Sequence, residues 1–246
     1  MAQPYNEKTY DYFKKPLPVR LMASIREGRF RKGMQDWLEW HVFVYPVGAY
    51  HALVSREFVF EGRRYRYYVH SNGAVSDERT LEIPIAKAFI EENKPKNMLE
   101  VGNVLGIHFK AGVNHTVVDK YEKGEGIINE DIVDYKPDRK FDMVISLSTM
   151  EHVGFDEELK DASKTEKSMR NILSMLEPDG KLLITVPVGY NPAMDDYIRN
   201  TRLDKRFMLK TSAFNDWVET TEEEAFRHRS DSKYRRSNAV AIIRKI

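Results

Sequence analysis

The sequence predicts a doubly wound α/β protein with a mostly parallel sheet, preceded by a helical and hairpin cap. Three observations carry this. Between positions 81 and 190, short apolar runs of four to six residues recur, as expected of parallel strands buried on both faces. Helical patterns separate the runs, and strands alternating with helices build a wound sheet with right-handed crossovers. Two further apolar runs close the chain, Arg206-Phe207-Met208-Leu209 and Ala239-Val240-Ala241-Ile242-Ile243, and read as antiparallel additions at one sheet edge.

The elements follow in order. Residues 1–80 form the expected cap, rich in aromatics and arginines, and residues 81–246 the expected core. Val19 to Trp40 carries Leu21, Ile25, Met34, Trp37 and Leu38 but is interrupted by Gly28 and Gly33, so two short helices are expected. Its basic stretch from Arg20 to Lys32 is either a wet helical face or a contact for anionic lipid or an acidic partner. Glu57 to Phe60 and Tyr65 to His70 flank Glu61-Gly62, a pair suited to a tight hairpin turn. Pro84 is expected to open a helix through Ile85, Ala88, Phe89 and Ile90, stopped at Lys94-Pro95-Lys96. The strands then read Met98–Val101, Thr116–Asp119, Gly126–Ile128, Phe141–Ser146 and Lys181–Val186. Before the last of these, Met169, Ile172, Leu173 and Leu176 make one helical face that ends at Pro178-Asp179-Gly180. A short acidic helix is expected at Thr221 to Phe226.

Composition narrows the function classes. The 246 residues are 41% apolar and 31% charged, with 39 Lys and Arg against 38 Asp and Glu, so no global charge drives the chain onto nucleic acid or membrane. There is no cysteine, which excludes disulfides, zinc–thiolate and iron–sulfur sites and a Cys nucleophile, and suits a cytoplasmic location. No apolar window is long enough to span a bilayer. The seven histidines fall at no metal-like spacing, and no metal is expected.

The chemistry concentrates at strand ends. Glu100-Val101-Gly102-Asn103-Val104-Leu105-Gly106 turns out of the first core strand through glycines, which lets backbone approach a ligand. It departs from the dinucleotide pattern G-x-G-x-x-G, which counts against a nicotinamide enzyme. Asp119 closes the second strand, where a carboxylate either accepts ribose hydroxyls or caps a helix. Asp131 follows the third strand and either reads an adenine edge or is a solvated loop charge. All three fall at the carboxyl ends of successive strands, where open α/β sheets bind ligands.

The series Glu-x-Gly-x-x-x-Gly, strand-end Asp119, loop Asp131, Phe141-Asp-x-Val-Ile-Ser, Met150-Glu-His-Val and Leu176-x-Pro-x-Gly-Lys-Leu-Leu-Ile-Thr-Val-Pro resembles the class I S-adenosylmethionine-dependent methyltransferases over residues 84–190. That resemblance implies a Rossmann-like methyltransferase fold with S-adenosyl-L-methionine as cofactor and S-adenosyl-L-homocysteine as product. It implies that Glu100, Gly102, Asn103, Val104 and Gly106 frame the cofactor's amino-acid end. Asp119 and its neighbour Lys120 would lie at the ribose, Asp131 and Ile132 at the adenine, and the Ser146 backbone near the ammonium. Val104 stands where the family usually has glycine and narrows the loop. His152, just beyond the fourth strand, is the expected general base or acceptor-orienting residue, the alternative being that Glu151 and His152 only cap the next helix or close over the cofactor. Tyr68, His70, Arg79 and Tyr190 are the expected acceptor-side residues. The expected substrate is a small molecule or glycan bearing a hydroxyl or amine; nucleic acid is not expected. A methyltransferase-like binding module without activity is the alternative.

Overall fold

The structure, a computed structural model, describes residues 45–54, 56–69, 77–109, 115–212, 214–228 and 237–246, together with positions 19, 22 and 38. Apart from those three positions, the segment from Val19 to Trp40 lies outside the described residues, and so does His70.

A helix not anticipated from the sequence, α1 (Tyr45–Val54), precedes a hairpin of β1 (Glu57–Phe60) and β2 (Arg63–Arg66). Its two-residue turn places Glu61 at φ 50° and Gly62 at φ 74°, the paired positive values that match hairpin twist. The second strand therefore starts at Arg63, two residues earlier than expected, and ends at Arg66 rather than running to His70. Phe58 stacks on Tyr65 at 5.4 Å and meets Tyr67 at 5.0 Å, while Arg64 and Arg66 point to solvent.

Helix α2 (Arg79–Asn93) starts five residues before Pro84, which sits inside it instead of opening it. Proline has no N–H for the carbonyl four residues back. That carbonyl, of Thr80, takes the Tyr68 N–H at 2.9 Å, and the Thr80 hydroxyl donates to the Tyr68 carbonyl at 2.9 Å. The hairpin's exit strand thus makes good what the proline removes.

The core follows as β3 (Met98–Val101), α3 (Leu105–His108), β4 (Thr116–Val118), β5 (Ile127–Ile128), β6 (Phe141–Leu147), a 3₁₀ turn (Met150–His152), α4 (Ser163–Met175), β7 (Leu176–Pro187), α5 (Pro192–Asn200), β8 (Asp204–Lys210), β9 (Trp217–Thr220), α6 (Glu222–Arg227) and β10 (Ala239–Lys245). Leu176, expected on the helix face, is instead the first residue of β7 and pairs with Phe141. Strand β9 was not legible in the sequence.

The eight-stranded sheet runs β5-β4-β3-β6-β7-β10-β8-β9. The first five strands are parallel, and β10 runs antiparallel between β7 and β8. Chain order reverses between β3 and β6, the switch point at which such sheets leave a crevice. Two apolar layers cover the faces. In β6, Met143, Ile145 and Leu147 pack with Phe58, Leu81 and Trp217, while Val144 packs with Met169, Ile172 and Phe207 on the other side. Phe141 joins the Val144 side against the two-residue rhythm because the register shifts between Phe141 and Met143. At that bulge the Asp142 carboxylate accepts the N–H groups of Lys96 at 2.7 Å and Asn97 at 3.1 Å. Buried Arg244 of β10 pairs with Asp204 and Glu61, tying the hairpin tip to the sheet.

Candidate functional site

A cavity of about 270 Å³ opens at the switch point, lined from the tips of β3, β4, β5 and β6. Its walls include Gly102, Asn103 and Val104 after β3, Asp119 and Lys120 after β4, Asp131 and Ile132 after β5, and Ser148, Thr149 and His152 after β6.

Gly102 sits at φ +85°, and a Cβ there would lie 2.3 Å from Thr149 Oγ1. Glycine is therefore required by conformation and by the close approach of the β6 loop. Val104 has φ −105°, which any residue adopts, and its buried side chain joins the apolar layer beneath the loop. Glu100 holds that loop from below. Its Oε1 accepts the N–H groups of Val104 and Leu105, each at 2.7 Å, and its Oε2 lies 2.6 Å from His115 Nε2. Both side chains are almost fully buried, at 1% and 5% exposure.

Asp119 caps no helix. Its Oδ1 accepts the N–H groups of Tyr121 at 2.8 Å and Glu122 at 2.7 Å, which folds the loop after β4 around the pocket. Asp131 Oδ1 accepts the Val133 N–H at 3.1 Å, and its Oδ2 is held by Lys120 at 2.9 Å and Lys164 at 2.6 Å. Both lysines also reach Glu157, at 3.0 and 2.7 Å, closing a four-charge ring. Burial alone would push Asp131 up, but hydrogen bonds from Lys164 and Lys120 outweigh it and hold the carboxyl below its ordinary range. Burial alone would pull Lys120 down, and the bonds to Asp131 and Glu157 raise it instead. Asp131 is thus neither a solvated loop charge nor an unengaged acceptor; it is one corner of the pocket's rim.

At the β6 tip Ser148 is held at φ 38°, a conformation a side-chain-bearing residue rarely adopts. Its N–H donates to the Thr185 carbonyl at 2.9 Å and its hydroxyl to Glu82 Oε1 at 2.6 Å. Arg79 lines the pocket, but its Nη1 already donates to Glu82 Oε2 at 2.8 Å and the Leu147 carbonyl at 2.7 Å. Arg79 therefore braces Ser148 through Glu82.

His152 lies on the pocket wall, in the 3₁₀ turn rather than as a helix cap. Its Nδ1 is 2.6 Å from Asp156 Oδ2, and its Nε2 is 3.5 Å from Glu151 Oε1. Burial pushes the Glu151 carboxyl up to about 7, against the attraction of His152.

Several expected residues fall elsewhere. Ser146 is fully buried, with its hydroxyl on the Val101 carbonyl at 2.9 Å; Ser148 and Thr149, further along the strand, reach the pocket instead. Glu100 and Gly106 stand behind the loop and do not line the cavity. Tyr68 lies one residue behind the wall, its hydroxyl 3.3 Å from Nδ1 of the pocket-lining His108. Tyr190 lies behind His152, on Asp156. Tyr67, next to Tyr68, is a core residue whose hydroxyl accepts the Trp217 backbone N–H at 2.8 Å. Sequence reasoning missed Thr149, Glu157 and Asp156; the i,i+4 spacing of His152 and Asp156 is the one signal that pointed to the last. Among the described residues no cluster of His, Cys, Asp and Glu is arranged to hold a metal, and no helix is long and apolar enough to cross a membrane.

Five parallel strands with the order reversal between β3 and β6, followed by the antiparallel β10 and then by β8, which runs parallel to the first five rather than antiparallel as expected, define a doubly wound Rossmann-like sheet. No protein-family model matches the sequence, and no curated protein is significantly similar to it. Among solved structures, the chain is similar to the N-methyltransferase NodS from Bradyrhizobium japonicum WM9 in complex with S-adenosyl-L-homocysteine, at 14% identity and TM-score 0.39, over 68% of this chain and 85% of that one. It is similar to an S-adenosylmethionine-dependent methyltransferase from Clostridium acetobutylicum ATCC 824, at 12% identity and TM-score 0.37, over 65% of this chain and 89% of that one. The glycopeptide N-methyltransferase MtfA matches at 13% identity and TM-score 0.34, over 66% of this chain and 89% of that one. At these scores the matches carry nothing about substrate, and the fold rests on the strand order.

Proposed function

We propose that the protein is an S-adenosylmethionine-dependent methyltransferase acting on a small molecule or glycan. One observation supports this above the others: Gly102, Asp119 and Asp131, singled out at three separate strand ends, line one cavity at the switch point. The cavity's chemistry fits an adenosyl group with a cationic tail. Val101, Val118, Ile132 and Val153 supply apolar wall for a flat base, and carboxylates at 119, 122 and 130 supply hydroxyl acceptors, those at 131 and 157 being paired with Lys120 and Lys164. When bound, S-adenosylmethionine supplies an electrophilic methyl on a sulfonium.

The chain's own groups then have defined work. The Gly102–Val104 backbone, pinned by Glu100, receives the amino-acid end. Asp119 is at hand for the ribose hydroxyls with the carboxylate oxygen not used in its own loop. Ile132 packs against the base, and Asp131 keeps the rim in place through Lys120 and Lys164. Holding acceptor and methyl in line and excluding water contributes up to about 7–11 kcal/mol of barrier lowering in favourable cases. His152 stands at the pocket wall to take a proton from the acceptor.

Calorimetric titration with S-adenosylmethionine and S-adenosylhomocysteine tests the reading. Both are expected to bind, and Asp119→Ala is expected to weaken both about 10- to 100-fold, through the lost ribose acceptor and the loosened Tyr121–Glu122 turn. Binding of neither ligand would refute the assignment. Binding without any turnover would favour the second reading, an inactive module.

A further inference from the structure

Helix α1 turns apolar side chains toward water. Its ten residues include no Asp, Glu, Lys or Arg. Pro46, Ala49, Tyr50, Leu53 and Val54 are all exposed, Leu53 by 85%. Their spacing, i, i+3, i+4, i+7 and i+8, puts them in one stripe along the helix. Phe214, 55% exposed in the loop before β9, extends the stripe, its ring 5.6 Å from that of Tyr50. Arg56, two residues beyond the helix, lies over the Tyr50 ring at 5.3 Å and pairs with Asp216, which gives the patch a polar rim. Val19, Met22 and Leu38 are helical and exposed as well. A surface helix ordinarily points such a stripe at the core, and a contiguous exposed one marks a surface that docks.

We infer that this stripe docks on a lipid bilayer with an anionic surface, lying in the interface rather than crossing it. Charge selects the occupant. Positions 14–32 hold seven Lys and Arg against one acid, Glu27, in a chain whose net charge is only +1. Trp40 to Ser55 then holds no Asp, Glu, Lys or Arg, and Trp37 and Trp40 stand at the join. A basic segment, two tryptophans and an apolar helix in succession have the composition of an interfacial anchor. Anionic headgroups attract the cations, indole rings favour the boundary, and apolar side chains enter the edge of the acyl region. Spanning needs about 20 apolar residues, whereas the ten of α1, at about 1.5 Å each, reach only half of a ~30 Å hydrocarbon core. A second copy of the chain is the other apolar partner at hand. Pairing two copies would bring two of the basic segments together, and their like charges oppose it. None of the stripe residues lines the cavity, so the inference stands apart from the methyltransferase reading.

Co-sedimentation of the full chain with large vesicles tests it, without any methyl donor. Phosphatidylcholine alone is compared with phosphatidylcholine carrying about 30% phosphatidylserine, in about 0.1 M salt. Binding to the anionic vesicles is expected, at least about tenfold weaker on phosphatidylcholine alone and weakened again in about 0.5 M salt. The double variant Leu53→Glu with Val54→Glu sets two carboxylates in the stripe. It should weaken binding to the anionic vesicles about tenfold or more, with an unchanged far-ultraviolet circular dichroism spectrum. Binding by the double variant within about twofold of wild type would show attraction by charge alone and overturn the docking of the stripe. Binding to neither vesicle overturns the inference outright. A mass that doubles with concentration in light scattering, and no longer does so in the double variant, overturns it in favour of a second copy as the occupant.

Discussion

Replacing Glu151 by Gln should remove a pH dependence from the stability of the whole fold. The Glu151 side chain is 2% exposed, its Oε1 lies 3.5 Å from His152 Nε2, and its Oε2 is buried without a hydrogen-bond partner. Burial pushes its carboxyl up to about 7 from 4.5, with Glu82 adding and His152 opposing. A group whose folded pKa is raised binds its proton more tightly folded than unfolded. Its contribution is therefore fully present below about 4.5 and is lost as pH rises through about 7. A gap of about 2.5 pH units at 1.36 kcal/mol each amounts to about 3 kcal/mol. Gln has the shape of the protonated acid and cannot ionise. Urea denaturation of both proteins from pH 4.5 to 8, compared as the difference in unfolding free energy, cancels the titrating groups that do not interact with Glu151. The difference should move in favour of Glu151→Gln by about 2–3 kcal/mol across that window. A difference constant to within about 0.5 kcal/mol would show that the carboxyl is solvated and the burial argument wrong.

Two further outcomes follow from the geometry. Gly102→Ala puts a Cβ 2.3 Å from Thr149 Oγ1 at φ +85°, so it should lower stability by about 1–3 kcal/mol and abolish measurable S-adenosylmethionine binding by calorimetry. Arg244→Ala leaves Glu61 and Asp204 with Arg206 alone, at 2.9 and 3.0 Å, and should cost about 1–2 kcal/mol in urea melts, less than a fully buried pair because those carboxylates are 33% and 25% exposed and keep one arginine. Both variants are expected to keep the native far-ultraviolet circular dichroism spectrum at 25 °C.

The presence of the parallel strands was legible because continuous apolar runs such as Met98–Val101 and Phe141–Ser146 suit a sheet covered on both faces; their order was not. Gly102, Asp119 and Asp131 were legible as cavity-lining positions because the crevice of such a sheet opens at the carboxyl ends of its strands. Local signals misplaced two boundaries. Pro84 reads as a helix start, yet the helix runs through it because Tyr68, distant in sequence, supplies the N–H for Thr80. Leu176 reads as a helix residue, yet pairing with Phe141 draws it into β7.

The amino-acid sequence alone determined the alternation of strand and helix, the glycine turn and the carboxylates at the strand tips, since each depends on neighbours within a few residues. Partnership was decided only in three dimensions. Asp131 met two lysines, one from the loop after β4 and one from α4; Glu100 met His115; Asp156 met Tyr190 from beyond β7. Hydrogen bonds and ion pairs act over about 3 Å, and which side chains come that close depends on how strands cross over, which no local pattern encodes.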